Sequence, residues 1–206
     1  MRAADAGVVT DVSLHSLQCP QLSPSDVPED GAFYNQDRAR DGIRSVLDGL
    51  GIAKAHIVGL SMGGFAALHF GPTYADRALS LTIGGCGCGY GAAAKERTKF
   101  AAETEAKGQR FDDLGMEEAA PGYALGSTRV QFQNRDPRGW QEFADHLVEH
   151  SARGATLTIR GVQAKRPSLF DLTDRMQTIS VPTLIMTRTA APAPISNALH
   201  FFLAGM

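Results

Sequence analysis

Apolar residues fall at Ile43, Val46, Leu47 and Leu50, and Gly51 comes directly after them. That spacing predicts a helix starting at Asn35 or Asp37 and running to residue 50, with one face turned to a core and glycine as its stop. The pattern then shortens. Ala53, Ala55, Ile57 and Val58 form a compact apolar run that reads as a buried strand. Helical spacing returns at Phe65-Ala66-Ala67-Leu68-His69-Phe70, with Gly71-Pro72 as its expected stop. Residues 78–83 (Ala-Leu-Ser-Leu-Thr-Ile) predict a further strand. Strand and helix in alternation imply an α/β fold, with a parallel sheet flanked by helices.

The two flanks of this region read differently. Residues 7–12 have strand character, but Pro20, Pro24 and Pro28 break any regular pattern beyond them, so residues 1–24 are expected to be irregular or poorly ordered. Between residues 92 and 154 the strand signal vanishes and helices take over. The clearest spans residues 139–153, with Trp140, Phe143, Ala144, Leu147 and Val148 on one face. Asp136-Pro137 is its start signal and Gly154 its expected stop. Pro167-Ser168 opens a helix through Leu169, Leu172 and Met176, which leads into a last strand over residues 181–186. No internal repeat is visible.

Composition narrows the function classes. A chain of 206 residues can form one domain with an adequate core, and its 43% hydrophobic content is ordinary for a globular protein. Acids and bases are mixed to a net charge of −2, which makes no electrostatic case for nucleic acid or an anionic membrane. Cys19, Cys86 and Cys88 have no zinc spacing and cannot all pair internally, which suits a reducing cytoplasm. Residues 1–20 carry Asp5 and Asp11 with no apolar centre, so they do not read as a signal peptide. No apolar run approaches the length of a membrane span.

The chemistry is concentrated in Gly59-Leu60-Ser61-Met62-Gly63-Gly64, where the predicted strand meets the predicted helix. A serine with Gly59 and Gly63 two residues to either side fits the G-x-S-x-G turn, which lifts a hydroxyl above the carboxyl edge of a sheet. Both glycines are expected to relieve crowding between strand and helix. The duller reading is a glycine-rich turn whose serine caps the helix.

These residues resemble the α/β-hydrolases. The likeness runs from about Ser25 to Met186. It takes in Ser25-Asp26 as the tail of a loop, the helix over 37–50, the turn at Ser61, the strand over 79–84 and the late strand Val181-Pro182-Thr183-Leu184-Ile185-Met186. Gly-Leu-Ser-Met-Gly-Gly looks like the esterase, lipase and C–C hydrolase type, and a serine at this place argues against the dehalogenase branch. The resemblance implies an incomplete α/β-hydrolase fold with a core over 25–91 and 155–187, a helical cap over 92–154 and a tail over 188–206. It implies Ser61 as nucleophile toward a small carboxyl-ester-like substrate, through an acyl-enzyme and without a cofactor or metal. It also implies the backbone N–H of Met62 as one oxyanion donor.

Other members of the pattern are missing. The chain has no His-Gly pair for a second oxyanion donor and no Asp or Glu after Asp174. His200 is the late histidine available as a base, though a histidine so placed is more often an exposed tail residue. His56 and His69 read as packing or surface side chains, and His146 and His150 share a helix face without a third metal ligand nearby. The ends look unlike the middle, so a truncated or frame-disrupted hydrolase is expected. A non-catalytic binding protein on the same fold is the alternative. A weaker alternative is dinucleotide binding at Gly87, Gly89 and Ala92, which match G-x-G-x-x-A but lack the second strand such a turn requires. Oligomeric state is not legible.

Overall fold

The computed structural model describes residues 13–17, 25–87, 93–127 and 129–186. The strand expected over residues 7–12 lies outside them.

Helix α1 (Gln36–Gly49) starts where Asn35 accepts a hydrogen bond from the Arg38 N–H at 2.8 Å. Gly51 adopts φ 67° just past its end, and the N–H of Ile52 returns to the Leu47 carbonyl at 2.8 Å. A residue with a β-carbon is strained in that left-handed conformation, so the glycine is a physical stop. Three strands come next in chain order: β1 (Ala55–Leu60), β2 (Ala78–Gly84) and β3 (Thr183–Met186). They form one parallel sheet in the order β1-β2-β3, with Ile57 beside Leu81 and Ile83 beside Ile185.

One face of this sheet carries the core. Ile57, Leu81 and Ile83 are buried with Phe65, Leu68 and Phe70 of helix α2 (Met62–Thr73), and with Met176 and Ile179 from the segment before β3. The Gly71-Pro72 pair does not stop α2 as the sequence pattern suggests. Proline removes only the bond its own nitrogen would make, and the Tyr74 N–H still reaches the Phe70 carbonyl at 2.8 Å.

Between β2 and β3 the described chain is helical: α3 (Ala94–Ala124), α4 (Val130–Arg135), α5 (Pro137–Val148), α6 (Ala152–Thr158) and α7 (Thr173–Met176). Helix α3 breaks at Gly115, where φ is 72°. A second cluster of buried residues joins Phe111, Met116, Ala119 and Ala120 of α3 to Leu147 of α5 and to Ile159, with Trp140, Phe143 and Ala155 against it. The single helix expected over 139–153 is two helices. Ser151 caps the second one by accepting from the Gly154 N–H at 3.1 Å, so Gly154 is a buried helical residue and not a stop. Ser168 begins the last helical segment as anticipated, a 3-10 turn over Leu169–Leu172 that passes into α7.

Candidate active site

Ser61 is the single residue between the end of β1 and the start of α2. It has φ 52° and ψ −111°, the one non-glycine residue with positive φ among those described. Such a conformation costs about 1–3 kcal/mol and persists only where the surroundings enforce it. Here three contacts do so. The Ser61 N–H donates to the Gly84 carbonyl at 2.8 Å, the Phe65 N–H donates to the Ser61 carbonyl at 3.1 Å, and the Cys86 thiol lies 3.4 Å from the same carbonyl. The backbone is therefore pinned from the sheet, the helix and the loop after β2, and the side chain stays exposed. That side chain makes no capping bond to α2, which sets the helix-cap reading aside. The first N–H groups of α2, the positive end of the helix, begin at Met62, the residue after Ser61.

The glycines divide unevenly. A β-carbon on Gly59 would collide with the backbone carbonyl of Gly63, and one on Gly64 would stand 2.5 Å from Cys86 Sγ and 3.1 Å from the Gly84 carbonyl. A β-carbon on Gly63 would meet nothing within 4 Å. The steric reason expected for Gly63 is therefore corrected: the close approach of strand and helix falls on Gly59 and Gly64, and Gly63 contributes its carbonyl to the tight turn.

Two neighbours define the surroundings. Burial pushes the Cys86 thiol up to about 12, so it is a neutral packing group and not a competing nucleophile. Arg166, 8% exposed, lays its guanidinium 3.6 Å from the centre of the Phe65 ring, one turn into α2. A lone arginine between Lys165 and Pro167 carries no motif, so the sequence offers no signal for it.

The histidines stand apart from Ser61. No described histidine shares a hydrogen bond with Ser61. His56 Nδ1 lies 2.8 Å from Ser80 Oγ across the two strands. His69 is buried in α2, and burial, reinforced by the Arg175 charge, pulls it down to about 4. Neither of its ring nitrogens has a hydrogen-bond partner among the described residues. His146 lies 3.4 Å from Glu149, and no group of three or more possible metal ligands gathers among the described residues. His200 lies outside the described residues, as do Cys19, Cys88, Gly89 and Ala92. The dinucleotide reading nonetheless fails, because α3 occupies the stretch where the second strand would have to run. No described helix is long and apolar enough to cross a membrane.

No family model matches the chain. A curated relative, 3-oxoadipate enol-lactonase 1 of Acinetobacter baylyi, is 29% identical over 168 residues, which are 82% of this chain and 57% of the relative. Among solved structures, the enol-lactonase from Burkholderia xenovorans LB400 superposes with a TM-score of 0.64 at 20% identity, over 87% of this chain and 65% of that one. MenH from S. aureus superposes with a TM-score of 0.69 at 16% identity, over 83% and 62%. The chain thus spans about three-fifths of the length of the proteins it matches.

Proposed function

We propose that this chain, which shares the fold of α/β-hydrolases of known structure and is 29% identical to a curated enol-lactonase, carries the nucleophile half of a serine hydrolase acting on a small carboxyl-ester-like substrate. The observation that carries the reading is the strained backbone of Ser61, held at φ 52° by bonds from both the sheet and the helix while its hydroxyl is exposed. A position with no chemical task would relax to glycine at no cost.

In this mechanism Ser61 Oγ attacks the substrate carbonyl as a base removes its proton. The carbonyl oxygen becomes an oxyanion beside the Met62 N–H and the α2 N-terminus. Collapse expels the alkoxide or enolate, which takes up the proton, and leaves an acyl group on Ser61. Water then adds to the acyl-enzyme and releases the acid. An enol-lactone is a cyclic ester, so the curated relative's named substrate fits this class of bond. No described histidine is hydrogen-bonded to Ser61, and His200 is the first base to test. The helical layer α3–α6 is the cap in this reading, placed in sequence between β2 and β3. The free, buried Cys86 is compatible with cytoplasmic residence, which belongs to the same proposal.

A fluorophosphonate probe applied to the folded chain, beside Ser61→Ala and His200→Ala, tests it. Labelling that needs Ser61 and drops with His200→Ala supports the reading in full. Labelling that needs Ser61 alone moves the base elsewhere. No labelling of folded protein overturns catalysis in this chain and selects the non-catalytic binding alternative.

A further inference from the structure

Two buried residues reach the Ser61 carbonyl, Phe65 through its N–H at 3.1 Å and Cys86 through its thiol at 3.4 Å. A third buried side chain bears on both of them. Arg166 sets its guanidinium carbon 3.6 Å from the centre of the Phe65 ring, well inside the reach of a cation–π contact. Its charge is also felt at the Cys86 thiol, where it opposes the upward pull of burial. The side chain of a helical residue leans toward the helix N-terminus, so the Phe65 ring covers the turn that starts at Ser61. Arg166 closes over that ring. Its own backbone is well anchored, in the joint between the π-helical turn Ile159–Gln163 and the 3-10 turn Leu169–Leu172. Val162 before the joint is buried, as are Ser168 and Leu169 after it, and Leu169 shares the core cluster of Phe65. Pro167 further restricts the Arg166 backbone to extended conformations.

We infer that Arg166 is a positioning residue for Ser61, holding the strained turn in place through the Phe65 ring. A backbone at φ 52° keeps that conformation only while its neighbours enforce it. The Phe65 N–H can enforce it only while the first turn of α2 stays put, and the guanidinium over the ring fixes that turn. Arginine suits the task because its planar, charged group stacks on an aromatic face, which neither a lysine nor an aliphatic side chain can do. The hold on the backbone is independent of catalysis. Its consequence for the hydroxyl rests on the reading of Ser61 as the nucleophile.

A side chain that merely fills space contributes the same stability whatever residue stands at position 61, so a double-mutant cycle separates the two roles. Ser61→Gly should move the folding equilibrium constant of the natural chain about fivefold toward the folded state. In an Arg166→Met background the same change should give less than about twofold, because the turn has already relaxed. Phe65→Leu removes the ring but keeps the N–H and should show the same coupling, which decides the matter where Arg166→Met folds poorly. Arg160→Met, a loss on the side of α3, should leave the fivefold gain intact. A gain of about fivefold in every background would make Arg166 plain packing and overturn the proposal, and so would loss of the gain in Arg160→Met as well. The rate of Ser61 labelling by the fluorophosphonate probe, corrected for the folded fraction, should fall about tenfold in Arg166→Met and recover in part in Arg166→Lys. An unchanged rate in a chain that labels would overturn the positioning role. A natural chain that does not label at all defeats the nucleophile reading instead, and the unfolding cycle then decides the hold on the turn by itself.

Discussion

The carbonyl of Gly63 fills the space where a β-carbon on Gly59 would stand. Two glycines four residues apart thereby fold strand and helix against each other around Ser61, and only one of them is crowded. Gly59→Ala should destabilise the chain by about 3 kcal/mol, the upper end of the usual cost of forcing extra atoms into a packed site, because the clash is with backbone. Gly64→Ala should cost a similar amount, because its β-carbon would press on Cys86 Sγ and the Gly84 carbonyl. Gly63→Ala should change stability by less than about 0.5 kcal/mol. Urea unfolding of the three variants checks the order, and a costly Gly63→Ala would show that the turn is built differently.

Ser61 itself should be a stability liability. Its φ of 52° lies where glycine rests without strain. Ser61→Gly should therefore raise stability by about 1 kcal/mol, whereas Ser61→Ala keeps a β-carbon in the same conformation and should leave stability nearly unchanged. Thermal unfolding of the pair separates strain relief from loss of the hydroxyl. Equal midpoints for the two variants would mean that the strain is not stored at this residue.

Much of this arrangement is legible in the sequence, and the reasons differ by element. Helix α1 is legible because Ile43, Val46 and Leu47 repeat at helical spacing and Gly51 closes it. The turn at Ser61 is legible because Gly59 and Gly64 are local requirements, visible within six residues. The end of α2 escapes the pattern because a proline in the last turn removes only one hydrogen bond. Gly154 escapes it because a nearby serine cap can start a new helix through a glycine. Arg166 over Phe65 joins residues a hundred positions apart, and no local pattern announces such a contact.

Arg160 ties the helical layer together at a distance from the sheet. Its guanidinium reaches Asp112 at 2.6 Å, Glu105 at 2.7 Å and Gln109 at 3.2 Å, all on α3. Both carboxylates draw its pKa upward, Glu105 first. The group is near the surface, so water and salt screen it. Arg160→Met should cost about 1 kcal/mol at low salt and less in about 0.5 M sodium chloride. Arg160→Lys should recover only part of this, since a lysine cannot span three acceptors with one planar fork. Salt-independent destabilisation would assign the loss to packing of the arginine stem instead of its charge.

His69 sets a pH limit on the fold. It is buried at 3% exposure in α2, and that burial, with Arg175, Arg40 and Arg166 also opposing its protonation and Asp37 favouring it, gives the ring a folded-state pKa of about 4 against 6.5 when free. The unfolded chain therefore binds a proton between these values that the folded chain refuses. The contribution is fully present above about pH 6.5, fades as the pH falls, and is gone below the folded value. Its size is about 3 kcal/mol at most, from 1.36 kcal/mol for each pKa unit. Asp41, held below its ordinary value of 3.8 by the hydrogen bond from Arg40, loses its own contribution only at lower pH, outside this window. Urea unfolding at about pH 7, 5.5 and 4.5 should show stability falling by a few kcal/mol in the natural chain. In His69→Leu, which fills the same buried space without a titrating group, the fall over that range should be largely abolished. An equal slope in both proteins would place the acid sensitivity elsewhere and leave His69 as packing alone.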